Sequence, residues 1–276
     1  MQKSTVFKIY AIAFLATIVM LLCYIYLNAY YNGNLWKAMI PSKSALTAEY
    51  CELDQATHFF RQTINTYSNL GYFFLGVIVI LISLYDNKNP EFINTNLLQQ
   101  FPTLSALFGC CLVYLCFGST FFHASLTWLG QRADMNATYS ICITLIAIST
   151  YRLLSKADTP ESFKRLFIYI ILLVIVAFIE LHLLIPGTIL LPVMVAILVI
   201  ITTINYLQNK NNFNVQLAIL SFLLMIGAFV LRTLDVKKIA CDPTSFYQGH
   251  ALWHLFTGLS VFLLYWFYRT ERTLSK

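Results

Sequence analysis

Apolar residues form long stretches along the whole chain, and short polar segments separate these stretches. Each stretch is about 20 residues or slightly more, the length that an α-helix needs to cross roughly 30 Å of hydrocarbon. The pattern predicts eight spans, at residues 6–31, 63–85, 102–124, 132–154, 163–184, 188–208, 213–234 and 248–268. The predicted fold class is therefore all-α, a polytopic membrane helix bundle.

The composition supports a membrane protein. The 276 residues are 59% hydrophobic and 11% charged, whereas soluble domains carry about 25% charged residues. So few polar side chains cannot cover a surface that faces water. This excludes an ordinary cytosolic enzyme, a nucleic-acid-binding protein and a disordered chain. The expected surroundings are lipid, no nucleic-acid partner is indicated, and no oligomeric state can be read from the sequence.

The first apolar stretch could be a retained helix or a secretory signal peptide. Lys3 and Lys8 at its start fit both interpretations. Its apolar run is longer than the roughly 7–15 residues of a signal-peptide core, and no small-x-small cleavage site follows it. A retained transmembrane helix is therefore the favoured interpretation.

The distribution of lysine and arginine predicts how the chain crosses the membrane, because cytoplasmic loops carry an excess of both. With the N-terminus inside, eleven of these residues fall on the inside and seven on the outside. The sequence therefore predicts N- and C-termini inside. The net charge of +6 is therefore interpreted as a feature of this topology first, and only second as a sign of a binding partner.

Five polar residues interrupt the apolar pattern near one side of the predicted membrane. Ser119 and His123 lie near the end of the third span, and Asp134 opens the fourth. His250 and His254 open the eighth span. Residues four apart share one face of a helix, and the predicted topology places all five at the same side and at similar depth. Ionisable groups inside spans are costly and are functional candidates by default.

These residue types favour a metal centre. Three histidines and an open position form a known catalytic zinc arrangement, in which the pKa of a bound water falls towards 7. Asp134 could act as the general base, and Ser119 could donate a hydrogen bond to a developing oxyanion. His58 and His182 have no such partner motif and are not predicted to be ligands.

The set of residues resembles the motif of the alkaline ceramidase family. That family belongs to a superfamily of seven-helix membrane hydrolases that includes adiponectin receptors and Per1-type proteins. The matching elements are Ser119-x3-His123, Asp134 and His250-x3-His254. Two further elements resemble ceramidases within the superfamily: Asn65-Thr66-Tyr67-Ser68-Asn69-Leu70 and Cys51-Glu52. The resemblance covers about residues 48–268.

The resemblance implies a role for each residue of the motif. His123, His250 and His254 would bind zinc. Asp134 would transfer protons, and Ser119 would act beside the metal or the oxyanion. The implied enzyme is a hydrolase that cleaves the linear amide C–N bond of a ceramide-like lipid from the bilayer, giving sphingosine and a fatty acid. The site would lie near the outer or lumenal side.

The resemblance also implies how the chain is organised. The family core has seven spans, so the first of the eight would be an extra helix. The expected parts are an extra N-terminal transmembrane helix at 1–32, an outer acidic loop at 33–62, a seven-helix catalytic core at 63–268 and a short inner tail at 269–276.

The outer loop carries a second metal hypothesis. Animal alkaline ceramidases have a calcium site in this loop, and here Glu49, Glu52 and Asp54 could supply oxygen ligands. Gln62 stands where those enzymes have an acidic residue, which weakens the predicted calcium site. A solvated acidic loop without calcium is the alternative.

A disulfide is expected on the same side. Cys51 and Cys241 both fall in loops that the topology places outside. A bridge between them is consistent with an oxidising compartment, and the resembling family has a similar bridge. It would tie the outer loop to the loop before the eighth span.

Two other functions stay open at this point. A related hydrolase could cleave an ester or another N-acyl lipid, because the superfamily motif does not select the substrate. Zinc could instead stabilise a receptor or structural membrane protein without turnover, with Asp134 supporting a histidine ligand. A transporter with proton relays fits less well, because the sequence shows no internal repeat and no matched pair of broken helices.

Overall fold

The computed structural model of the chain describes residues 2–89, 96–154, 159–185 and 187–272, without the side chains of 180–184. The prediction about His182 therefore concerns a side chain outside the described residues. The α-helices are α1 (Lys3–Tyr30), α2 (Lys43–Leu46), α3 (Thr63–Ser68), α4 (Leu70–Lys88), α5 (Pro102–Ser125), α6 (Trp128–Leu154), α7 (Glu161–Leu184), α8 (Gly187–Gln208), α9 (Val215–Val236) and α10 (Gly249–Arg269).

Eight helical segments of the described chain are long and apolar enough to span a membrane. Helices α3 and α4 together form one of these segments, and α2 is a short helix in the loop that precedes them. No strand occurs in the part of the chain that the structure describes. The predicted eight spans and the all-α membrane bundle are therefore confirmed, with helix ends that differ from the predicted ends by a few residues.

The spans differ in how far other helices cover them. In α6, 67% of the most apolar stretch is buried inside the protein, against 6% in α7. The α3–α4 span, α5, α6 and α10 form the centre of the bundle, and α1, α7, α8 and α9 lie around it. Lipid tails are as apolar as leucine, so the outer helices can expose large apolar side chains. All five predicted site residues lie on central helices.

The turn between α5 and α6 brings the end of one central helix next to the start of another. Leu126 takes a left-handed conformation there, with φ of 50° and ψ of 33°. The loop before α3 holds this turn through two backbone hydrogen bonds: Ser42 N–H donates to Leu126 C=O at 2.9 Å, and Trp128 N–H donates to Ile40 C=O at 2.8 Å. We call this end of the bundle, where α10 also begins, the site end.

The opposite end, which we call the far end, is held by two buried ion pairs. Arg269 at the end of α10 lies 2.7 Å from Asp86 of α4, and Arg152 of α6 lies 2.5 Å from Glu271. Both carboxylates are less than 10% exposed. One pair joins α4 to α10, and the other joins α6 to the segment that follows α10.

Helix α1 packs along the α3–α4 span. Ile9 lies against Ile78 near the far end. Near the site end, the Tyr24 hydroxyl lies 2.8 Å from Thr120 Oγ1 of α5. The helix is thus in contact with the central spans at both ends of the bundle.

Candidate metal centre

Three histidines from two central helices meet at the site end. His123 comes from the last turns of α5, and His250 and His254 come from the first two turns of α10. The ring nitrogens that could bind a metal all lie within 4.8 Å of one another. His123 is fully buried, and the other two are 4% exposed. The four-residue spacing in α10 puts both of its histidines on one face, and both rings lie close to that of His123 in α5.

Gln62 orients the ring of His123. Its amide oxygen Oε1 lies 2.7 Å from His123 Nδ1. Its amide nitrogen donates to the Glu52 backbone carbonyl at 3.3 Å, so the oxygen is the atom that accepts the Nδ1 proton. With the proton on Nδ1, Nε2 of His123 carries a lone pair. That atom lies 3.2 Å from Nε2 of His250.

Ser68 orients the ring of His254 in the same way. Its hydroxyl Oγ lies 2.7 Å from His254 Nδ1. The hydroxyl proton is donated to the Asn65 carbonyl at 2.8 Å, so Oγ accepts the proton of Nδ1. Nε2 of His254 then carries the free lone pair. A metal-binding histidine commonly donates its other ring N–H to an acceptor of this kind.

His250 completes the group with a nitrogen that has no partner. Its Nδ1 is buried and makes no hydrogen bond within the described part of the chain, which is unusual because nearly all buried polar atoms are paired. The lone pairs of His123 and His254 together with a ring nitrogen of His250 form a donor set that suits zinc and related divalent metals. The residues therefore fit a bound metal ion.

Ser119 and Asp134 lie side by side where α5 and α6 approach closely. The approach depends on Gly118, because a Cβ there would lie 2.9 Å from the Ala133 carbonyl oxygen. The Ser119 hydroxyl is buried, and within the described residues it has no hydrogen-bond partner of normal geometry. The Asp134 carboxylate is its neighbour, so the serine and the aspartate form one polar pair beside the histidines.

Asp134 is not one of the grouped metal-binding residues. It lies within electrostatic range of Tyr50 and Tyr72. The rings of these tyrosines contact the histidines: Tyr50 lies 4.1 Å from His250, and Tyr72 lies 5.9 Å from His254, measured between ring centroids. Asp134 therefore shares its surroundings with the metal-binding group without belonging to it.

Tyr50 covers the metal-binding group from the loop before α3. Its ring centroid is also 5.3 Å from that of His123. Burial, with the nearby Glu49 charge, raises the pKa of the Tyr50 hydroxyl, so the group stays neutral at ordinary pH. The next residue, Cys51, forms a disulfide with Cys241, and the two Cα atoms are 5.7 Å apart. The bridge joins the loop that carries Tyr50 to the loop that leads into α10.

The three acidic residues proposed for calcium do not come together. Glu49 accepts a hydrogen bond from Arg232 at 3.1 Å, and Asp54 pairs with Arg61. Glu52 accepts hydrogen bonds at 2.6 and 2.8 Å from two backbone N–H groups in α3. Within the described residues the three carboxylates form no metal-binding group. Each already has another partner, so the structure gives no support to the calcium hypothesis.

A small apolar cavity lies next to the histidines in the centre of the bundle. Its volume is about 40 Å³. Tyr72 and Thr257, whose hydroxyls are 2.5 Å apart, line it on the side of His254. Its other walls are mainly apolar side chains of α5, α6, α8, α9 and α10: Leu115, Thr138, Ile141, Cys142, Leu191, Met225, Trp253 and Val261.

Sequence reasoning misses three residues that contact the histidines. The sequence singles out Gln62 only because it is not acidic, Ser68 only as part of a motif, and Tyr50 not at all. One signal is available for Ser68. The segment Asn65–Asn69 is polar although it begins a span, and a helix that only crosses lipid has no need for those side chains.

A family-level match agrees with this geometry. The model of the family described as Ceramidase matches residues 42–276. The match begins after α1 and includes the three histidines, Ser119 and Asp134. No curated protein gives a significant match to the chain.

Proposed function

Because the chain belongs to the ceramidase family, we propose that it is a zinc-dependent intramembrane amidase. It would hydrolyse ceramide-like lipids to a sphingoid base and a fatty acid. The observation that carries this proposal is the convergence of His123, His250 and His254 from two helices inside the region that the family matches.

The three histidines would hold the zinc ion through ring nitrogens, with Gln62 and Ser68 keeping two of the rings in the required tautomer. Bound zinc would polarise the amide carbonyl and lower the pKa of a water molecule towards neutrality. Since the group offers three protein ligands within the described residues, a fourth position would remain for water or substrate, as in catalytic zinc sites.

Asp134 would transfer the proton, and Ser119 would stabilise the developing negative charge. Asp134 accepts a proton from the attacking water as the new C–O bond forms, then gives it to the amide nitrogen as the C–N bond breaks. Ser119 donates a hydrogen bond to the oxygen that becomes negative in the tetrahedral intermediate. Its position beside Asp134 and the metal-binding group supports this role.

The membrane would deliver the substrate. An acyl chain could lie among the apolar side chains around the small cavity, but about 40 Å³ holds little more than one water molecule. Binding would therefore require side chains such as Leu115 and Met225 to move. With the termini inside, as the basic residues predict, the site would lie at the outer or lumenal face.

The test is made on protein purified in detergent without chelators. Zinc is counted per chain, and fatty-acid release is measured from ceramides, phospholipids and N-acyl amino-acid lipids. We expect about one zinc per chain and release from ceramide. Release only from another lipid would keep the chemistry and replace the substrate. Zinc without hydrolysis of any lipid would favour the receptor or structural alternative, and absence of zinc would overturn the proposed site.

A further inference from the structure

A second buried acid, Asp235, contacts the metal-binding region without facing it. It lies near the end of α9 and is 4% exposed. Its oxygen Oδ2 accepts the backbone N–H of His250 at 3.0 Å, and its Oδ1 accepts the backbone N–H of Cys51 at 3.0 Å. One carboxylate thus bonds to two segments that are distant in the sequence.

The first of these bonds replaces a cap that α10 lacks. The N–H groups in the first turn of a helix have no partner within the helix. The residue before α10 is Gln248, and its side chain does not cap the helix; it donates to carbonyls of the preceding loop instead. Asp235 supplies the acceptor from another helix, at the end where the helix dipole favours a negative charge.

The close packing of Gly249 makes this contact specific. A Cβ on Gly249 would lie 3.0 Å from Asp235 Cβ and 3.1 Å from the Leu231 carbonyl oxygen. A side chain at this position would push the start of α10 away from α9. The position of His250, the next residue, is therefore set by the contact with Asp235.

The second bond fixes the cover of the site. Cys51 directly follows Tyr50, whose ring lies against His250 and His123. The disulfide ties Cys51 to the loop that leads into α10 through Cys241, whereas Asp235 ties it to a helix. The same carboxylate thus holds a metal-binding histidine and the tyrosine that covers it in a fixed relation.

We propose that Asp235 is a positioning residue of the metal centre. It holds the His250 backbone and the Tyr50 segment so that the His250 ring meets those of His123 and His254. The inference rests on the proposed function only in taking the bound metal to be zinc. It predicts that loss of the carboxylate weakens metal binding even though Asp235 is not a ligand.

The experiment compares Asp235→Asn with Asp86→Asn in the full-length protein. The asparagine keeps the size of the side chain but has one acceptor oxygen, so one of the two N–H groups loses its partner. Zinc affinity is measured by competition with a chelator, and the cobalt-substituted protein is examined by its absorption spectrum. For Asp235→Asn we expect zinc affinity to fall about 10- to 100-fold, as for other residues that support metal ligands, with an altered cobalt spectrum.

Asp86→Asn is the matched control, because Asp86 is also a buried acid but pairs with Arg269 at the far end. It should lower thermal stability and leave the zinc affinity and the cobalt spectrum unchanged. If Asp235→Asn loses stability but binds metal as the wild type does, its role is only structural and the inference is wrong.

Gly249→Ala gives a second route to the same contact if Asp235→Asn does not fold. It keeps the carboxylate and pushes the start of α10 away from it, and it should also weaken zinc binding. Unchanged affinity in a folded Gly249→Ala variant would overturn the inference. Wild-type protein that binds zinc without cleaving ceramide would refute the proposed substrate and leave this test intact, whereas wild-type protein without metal would refute both.

Discussion

At the far end of the bundle, the buried acids Asp86 and Glu271 each pair with an arginine. At the site end, Asp134 has no ion pair among the described residues, and Asp235 bonds to backbone N–H groups. The Ser119 hydroxyl lies beside the Asp134 carboxylate, and within the same described ranges His250 Nδ1 has no hydrogen-bond partner. Burial of a charge is costly unless the charge is paired. The far end therefore uses its buried carboxylates to join helices through ion pairs, whereas Asp235 at the site end uses its carboxylate to hold backbone segments in place.

The largest effect is expected for His250→Ala, which removes one of three metal ligands. Zinc content should fall well below one per chain, and ceramide hydrolysis should fall to background. Elemental analysis and fatty-acid release measure the two effects. His58→Ala is the control, since His58 is exposed in the loop before α3 and should keep both. A His250→Ala variant with full zinc content would show that the ion binds elsewhere.

Asp134→Asn should separate chemistry from metal binding. We expect kcat to fall about 10²- to 10⁴-fold, the usual contribution of a general acid–base group, with zinc content unchanged. Asp86→Asn should show the opposite pattern: normal turnover in folded protein and a loss of about 3–5 kcal/mol in the free energy of unfolding, because a buried ion pair is broken. Equal turnover in Asp134→Asn and wild type would exclude Asp134 from catalysis.

Ser119→Ala should have a smaller effect, because it removes one hydrogen bond to the transition state. A fall in kcat of about 10²-fold is expected, with little change in KM. Ser149→Ala is the matched control: Ser149 is also a buried serine on a central helix, but it bonds to the Leu145 carbonyl away from the site. If both variants lose activity equally, the effect of Ser119 comes from packing.

The last effect concerns stability in place of turnover, and it involves pH and Glu52. Burial raises the pKa of the Glu52 carboxyl from 4.5 to about 7, so the folded protein binds this proton more tightly than the unfolded chain does. Wild-type stability should therefore fall as pH rises from about 4.5 to about 7. The free energy of unfolding of Glu52→Gln minus that of wild type should therefore rise from acidic to slightly alkaline pH. The expected rise is on the order of 3 kcal/mol.

Thermal unfolding of both proteins across this pH range checks the prediction for Glu52. Asp242→Asn is the control, because hydrogen bonds from Thr244 lower the pKa of the exposed Asp242 carboxyl below 3.8. Its difference from wild type should not change over the same range. A constant difference for Glu52→Gln as well would show that Glu52 titrates at an ordinary pH.

The spans and the histidine group could be predicted because they depend on local patterns. Twenty apolar residues specify a span, and a four-residue spacing specifies one helix face. The partners of the histidines depend on contacts across the fold: Gln62 and His123 are 61 residues apart, and Ser68 and His254 are 186 apart. No periodicity in the chain indicates such pairs.

In the loop before α3, residues that are close in the sequence have separate partners in the fold. Its acids suggest a calcium site because they are close in sequence. In the fold, Glu49 turns to Arg232 of α9, Glu52 caps α3 and Asp54 pairs with Arg61. Proximity along a loop does not determine where side chains point, since loop conformation is set by the helices that the loop covers.

The disulfide has a consequence for biosynthesis. Cys51 and Cys241 are 190 residues apart, and the chain between them contains His123 and most of the spans. During translation, His123 is synthesised before the eighth span, which carries the other two histidines. The disulfide also cannot form until the loop that carries Cys241 has been synthesised. Closure of the covalent ring and assembly of the metal centre therefore become possible at the same late stage, so a ribosome that stops early releases a chain with neither.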